Sequence, residues 1–224
     1  MITVHHLNNS RSQRVLWLLE ELGLPYEIRK YQRDAQTMLA PPELLEVHPL
    51  GKSPVITDDG MTVAESGAII EYLIERYGNG RLAPAIGTPE RLRWRYWLHF
   101  AEGTAMSPLL LKLIFDRIPQ APMPFFAKPI ARSLCAKVLA RMVEPNLRRQ
   151  LDFREAELGR TEWFAGNDFS AADIQMSFPV EASAQRAGLD ASRPKLMAFL
   201  KRIHARPAYR QALERGGPYS FAND

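Results

Sequence analysis

The sequence predicts α/β plus all-α: an α/β unit on one small mixed sheet, then an all-helical unit. Three observations carry this expectation. Over residues 1 to about 78, short runs that alternate like strands trade places with runs of helical period. After Thr88-Pro89 the alternation stops and only helical spacing remains. Between the two, residues 79–87 (Asn-Gly-Arg-Leu-Ala-Pro-Ala-Ile-Gly) have the glycines and proline of a linker. The expected domains are therefore 1–80 and 88–224.

The elements follow in order. Ile2 to Leu7 is a short extended run, and Asn8-Asn9-Ser10 is turn-like. In the next segment Val15, Leu18, Leu19 and Leu22 fall at i, i+3, i+4 and i+7, the stripe of an amphipathic helix, which Gly23 and Pro25 stop. Tyr26 to Tyr31 alternates Tyr26 and Ile28 with charged Glu27 and Arg29, a second strand. Pro42 suits the first position of a short helix, Glu43 to Val47. A loop, His48 to Lys52, leads to a hairpin in which Ser53–Thr57 and Met61–Ala64 flank Asp59-Gly60. Glu65 to Tyr77 is helical, and Gly78 ends it. Strand-helix-strand, helix, hairpin and helix pack naturally as one sheet with helices around it.

In the second unit Thr88 can cap, and Pro89 can start, a helix reaching about Phe115. Four prolines make Ile118 to Pro129 an expected irregular stretch. Ala131 to Leu158 is a second long helix, bent near Pro145. Ser170-Ala-Ala-Asp173 opens a third, and Arg193-Pro194 opens another that closes before Pro207.

Bulk composition narrows the function. The chain has 224 residues, 46% hydrophobic and 24% charged, with net charge +4 and no tract of like charges, so no nucleic-acid surface is indicated. No run approaches the ~18–20 apolar residues of a membrane span. MITVHHL is not a signal peptide. The single cysteine, Cys135, excludes an intramolecular disulfide and fits a reducing compartment, so the expectation is cytoplasmic. Cys135 itself reads as a small buried residue. His5 and His6 have no ligand at metal spacing, and His99 with Glu102 reads as a surface pair.

Chemistry gathers in four places. Proline at a strand start removes a ladder donor, so Ser53-Pro54 suggests either an edge strand or a cis bond that turns the Ser53 backbone outward. Such an edge can pair with a peptide-like ligand by strand addition. Glu65-Ser66 at a helix start can cap, or it can hold an α-amino-acid head: a carboxylate at the helix N-terminus, an ammonium on Glu65. Lys52 can meet a second carboxylate as a point charge, or stay solvated. Two carboxylate sites flanking a backbone edge describe a short anionic peptide. Ser10, before a helix N-terminus, can cap that helix or donate to a thiolate. A free thiol has a pKa near ~8.5, and lowering it by two units takes ~2.7 kcal/mol, within reach of one charge-assisted hydrogen bond and a helix end.

The motifs SRSQRVLWLLEELGLPYE, HPLGKSPVI and AESGAIIEYL, in this order, resemble the N-terminal domain of cytosolic glutathione S-transferases. The helical remainder, with FAGNDFSAADI, is similar to their C-terminal domain, and RDAQTMLAPPEL before HPLGKSP is closest to a branch shared by bacteria and fungi. The resemblance implies a thioredoxin-like first domain, a cis Pro54, a homodimer and detoxification chemistry with glutathione as co-substrate. It implies that Ser53 and Pro54 hold the cysteinyl backbone, Glu65 and Ser66 the γ-glutamyl head, and Lys52 the glycyl carboxylate. It assigns thiol activation to the end of the first strand, where Ser10 matches the serine type and Asn9 and Ser12 are rivals. The other substrate is then a small electrophile, or a peroxide or disulfide if the thiol reduces rather than conjugates; the rival reading is a non-catalytic glutathione-transferase-like binding module. Trp97 and Met106 on the first long helix are candidates to line its site, or are core. Ser170 and Asp173 match the family's helix cap, a folding element.

Overall fold

The computed structural model describes residues 1–222; positions 223 and 224 of the expected helical domain lie outside the described residues. Four strands form one sheet in the order β2-β1-β3-β4. β1 (Ile2–Leu7) runs parallel to β2 (Tyr26–Tyr31), pairing Val4 with Ile28. β3 (Val55–Asp58) lies antiparallel to β1, Val4 opposite Ile56, and β4 (Met61–Ala64) closes the hairpin. Asp59 and Gly60 both take positive φ, the geometry that an Asp-Gly hairpin turn supplies.

Helices α1 (Ser12–Leu22) and α3 (Ser66–Tyr77) pack against the sheet through Val15, Leu19, Ile70 and Leu73. The short α2 (Glu43–Val47) packs elsewhere, its Leu44 with Leu7 and Tyr31 in a small separate cluster. The main core is continuous with the helical unit, where Trp94, Trp97, Ile174 and Phe199 join it.

That unit opens as expected. Thr88 accepts the Arg91 N–H at 3.2 Å and caps α4 (Pro89–His99). The expected uninterrupted helix instead widens into a π-helical stretch, Phe100–Ala105, before α5 (Met106–Arg117). Pro108 has no N–H, so the Thr104 carbonyl one turn back is released, and it accepts Gln150 Nε2 at 3.0 Å. A second π-helical stretch, Leu139–Val143, lies immediately before Pro145, between α6 (Ala127–Val138) and α7 (Glu144–Arg160). The bend expected at Pro145 takes that form.

Two boundaries differ from expectation. The proline-rich stretch is shorter than 118–129, because α6 starts at Ala127 and accommodates Pro129 in its first turn, where no intrahelical donor is needed. After α8 (Ala171–Arg186) and α9 (Pro194–His204), the chain does not stop at Pro207 but starts α10 (Pro207–Gly216) with that proline in its first turn. α10 lies across α1 so closely that a Cβ on Gly216 would sit 2.9 Å from Leu16 Cδ1 and from Gln13 Oε1, and those side-chain ends would have to shift. The Ser170–Asp173 cap forms as a reciprocal box, Asp173 accepting the Ser170 N–H at 2.9 Å and also the Phe164 N–H at 2.9 Å. Cys135 is buried. Among the described residues no helix is long and apolar enough to cross a membrane.

Candidate active site

Lys52, Ser53, Pro54, Glu65 and Ser66 all line one cleft, beside the start of α3. The Ser53–Pro54 peptide is cis. Ser53 Oγ donates to the His5 carbonyl at 2.7 Å and accepts the Leu7 N–H at 3.3 Å, so β1 fastens this loop. Glu65 has φ 71° and ψ 124°, a conformation that costs a non-glycine residue of order 1–3 kcal/mol and that tends to cluster at functional sites. Its side chain is exposed, while Ser66, the first residue of α3, is buried with its amide at the positive end of the helix. Lys52 is exposed at the other end of the lining.

The three candidates at the end of β1 part company. Ser10 and Ser12 are buried. Their hydroxyls lie 2.7 Å apart, Ser10 Oγ accepts the Ser12 N–H, and Ser12 Oγ lies 2.8 Å from His6 Nδ1 and donates to the Leu7 carbonyl. Both face inward: Ser10 satisfies the first free amide of α1, and Ser12 ties the turn back to β1. Asn9 takes φ 50° and lines the neighbouring cavity. Its Oδ1 accepts the Ser220 N–H at 2.8 Å, which fixes the amide's orientation and leaves Nδ2 as a donor.

Sequence reasoning passed over Arg11, His48 and Glu102, which line the same cleft. Arg11 Nε and Glu102 Oε2 are 3.1 Å apart, and Glu102 Oε1 pairs with Arg14. Glu102 is therefore not the surface partner of His99. From Phe100 the chain is π-helical, so the three-residue spacing of an α-helix face no longer applies. Burial pushes the Glu102 carboxyl up, but the Arg14 and Arg11 guanidinium groups outweigh it and hold the carboxyl below its ordinary value. Arg14, itself fully buried, also donates to Ser66 Oγ at 3.0 Å and to the Gln175 carbonyl at 2.7 Å. A proline inside α8, Pro179, supplies a readable signal for the last bond: it cannot donate to Gln175 four residues earlier.

A second cavity of ≈ 400 Å³ adjoins the first and shares Arg11 with it. Met106 lines it, together with Leu110, Leu113, Phe178 and Phe221. Trp97 does not. It is 1% exposed, stacked on Phe153 and tilted against Phe164 at 4.6 Å, and so belongs to the core.

Comparison with known proteins shows the family. Residues 1–75 match the family model for the glutathione S-transferase N-terminal domain, and residues 124–207 that for the C-terminal domain. Glutathione S-transferase 3 of Schizosaccharomyces pombe is 37% identical, over 96% of this chain and 88% of that protein. A solved glutathione S-transferase from Actinobacillus pleuropneumoniae superposes with a TM-score of 0.77 at 30% identity, covering 100% of this chain and 97% of the other. A sphingomonad glutathione S-transferase solved in complex with glutathione gives 0.70 at 28% identity, over 96% and 98%. With both halves matched in order and full-length relatives at this identity, the chain belongs to the glutathione S-transferase family.

Proposed function

We propose that this protein is a glutathione transferase whose peptide cleft is the one between Lys52 and Ser66, and that residues 1–80 form its glutathione-holding unit and 88–224 its helical unit. One observation carries the reading most: a cis Ser53–Pro54 edge lies between a cationic end, Lys52, and a helix N-terminus, Ser66, in a single cleft. In that cleft the cysteinyl backbone pairs with Ser53, the γ-glutamyl carboxylate takes the Ser66 amide, and its ammonium takes Glu65. The glycyl carboxylate takes Lys52, with His48 beside it. The sulfur then lies toward the start of α1, where Asn9 Nδ2 donates to it and the Arg11 guanidinium adds positive charge. Ser10 and Ser12 act beneath, holding the turn.

Loss of the thiol proton to water leaves a thiolate. Its electron pair forms a carbon–sulfur bond with an electrophile in the adjoining cavity, whose leaving group departs with the bonding pair. We further assign the protein to the cytoplasm as a homodimer serving detoxification, in keeping with its single buried cysteine. Calorimetric titration with glutathione tests the reading. Saturable binding that Glu65→Ala and Lys52→Ala each weaken about tenfold is expected; no saturation at millimolar glutathione would overturn it.

A further inference from the structure

We propose that the second substrate is an anionic amphipath, an apolar electrophile bearing a carboxylate; this rests on the glutathione-transferase reading and specifies its other half. The cavity beside the peptide cleft has an apolar floor, Met106, Leu110, Leu113 and Phe178. Four arginines ring it, Arg11, Arg33, Arg117 and Arg186, and among the described residues no aspartate or glutamate lines it. Arg11 shares the one carboxylate of Glu102 with Arg14, and among the described residues Arg33, Arg117 and Arg186 have no ion-pair partner. The Arg33 guanidinium donates to the Met38 carbonyl, at 3.1 Å. Arg186 lies over the Phe221 ring, 5.0 Å from its centroid, and Phe221 packs against Phe178 at 4.9 Å.

The cations are close enough to feel one another. Burial and then the neighbouring Arg117 lower the Arg186 guanidinium, and burial and then Arg11 lower that of Arg33. Packing like charges around an apolar cavity is unfavourable unless an anion enters it. A plainer role exists for two of them, since Arg117 and Arg186 occupy the last turns of α5 and α8, where cations suit the helix dipole. That accounts for their place on each helix, but not for their convergence on a cavity whose described lining holds no counter-charge. Nor does glutathione supply the anion, because Arg117 and Arg186 do not line the peptide cleft. The apolar body therefore lies on Met106 and Phe178 with its reactive carbon toward Asn9, and the carboxylate meets Arg117 and Arg186.

Two electrophiles that differ in charge test this: 4-chloro-3-nitrobenzoate and 4-chloro-3-nitrobenzamide. In both, the thiolate sulfur bonds to the chlorine-bearing ring carbon and chloride leaves with the electron pair. Each kcat/KM is divided by the uncatalysed rate constant with glutathione, which removes the difference in intrinsic reactivity. The wild-type enhancement is expected to be at least tenfold larger for the benzoate, and raising sodium chloride from 20 to 500 mM is expected to shrink that preference severalfold. In Arg117→Gln/Arg186→Gln the two enhancements are expected to fall within about twofold of each other. Equal enhancements in the wild type, or a preference that neither salt nor the double variant moves, would overturn the proposal while leaving the transferase reading intact. Conjugation of neither compound at saturating glutathione would overturn both.

Discussion

The Arg14 guanidinium donates to the Gln175 carbonyl at 2.7 Å, across 161 residues of sequence, because Pro179 leaves that carbonyl without its helical donor. A proline in α8 thus creates the acceptor, and a buried arginine in α1 uses it. The same side chain reaches Ser66 and Glu102, so the start of α3, the middle of α8 and the π-helical stretch are referred to one cation.

Removing that cation leaves a partly buried carboxylate and a bare carbonyl. Arg14→Ala is expected to lower unfolding stability by about 3–5 kcal/mol in urea titrations. Glu102→Ala added to it is expected to cost less than the sum of the single changes, by about 1 kcal/mol or more, since each already breaks the shared pair. Additive losses would show that the pair contributes little.

His6 gives the fold a pH limit. It is buried against Ser12, and burial, reinforced by Lys30, lowers its pKa from 6.5 to about 4. The folded form holds it neutral while the unfolded chain takes up a proton below pH 6.5. Stability therefore falls as pH drops from 6.5 toward 4, and is fully present above 6.5. About 2–3 kcal/mol is expected to be lost between pH 7.5 and 4.5 from this residue. His6→Gln is expected to flatten that part of the stability curve, measured by urea unfolding at each pH.

Asn9 and Ser10 separate by what each variant changes. Ser10→Ala removes the acceptor of the Ser12 N–H, and is expected to cost about 1 kcal/mol of stability with little movement in the thiol pKa of bound glutathione. Asn9→Ala is expected to raise that pKa by about one unit, equivalent to ~1.4 kcal/mol, read from thiolate absorbance against pH. The reverse pattern would return thiol activation to Ser10.

Glu181 is the acceptor at the centre of a buried aromatic cluster, with the Tyr209 hydroxyl at 2.6 Å, the Tyr219 hydroxyl at 2.7 Å and His204 Nε2 at 3.2 Å. Glu181→Ala is expected to cost about 3 kcal/mol or more by thermal and urea unfolding, because several buried donors lose one partner together. A loss under 1 kcal/mol would mean that the cluster repacks or that water replaces the carboxylate.

What could be read in advance follows from how far each signal reaches. Strand alternation and the Val15–Leu22 stripe are local, and β1, α1 and β2 fall where those patterns lie. Lys52, Ser53, Pro54, Glu65 and Ser66 stand within two short motifs, and the cleft collects all five. Arg11 and Glu102 meet across 91 positions with no motif in common, so only folding reveals them. The two π-helical stretches leave no period in the sequence, and the first of them redirects Glu102. Trp97 was ambiguous for a related reason: helical spacing identifies the face of a helix but not whether core or cleft lies opposite. α10 was passed over because Pro207 reads equally well as a stop and as a first helical residue.

The clasp of α10 on α1 has a consequence for the order in which the chain is made. Nearly every side of α1 is buried, Leu16 by the approach of Gly216 and Trp17 by the edge of Tyr209 at 5.1 Å. Arg215 adds hydrogen bonds to Glu20 and to the Tyr26 carbonyl. All of these partners are synthesised well over a hundred residues after the helix they cover. At about 5–20 residues per second, on the order of ten seconds pass between emergence of α1 and arrival of its cover. Throughout that interval Leu16 and Trp17 stand open to water, and the nascent first half depends on whatever shields apolar surface at the ribosome.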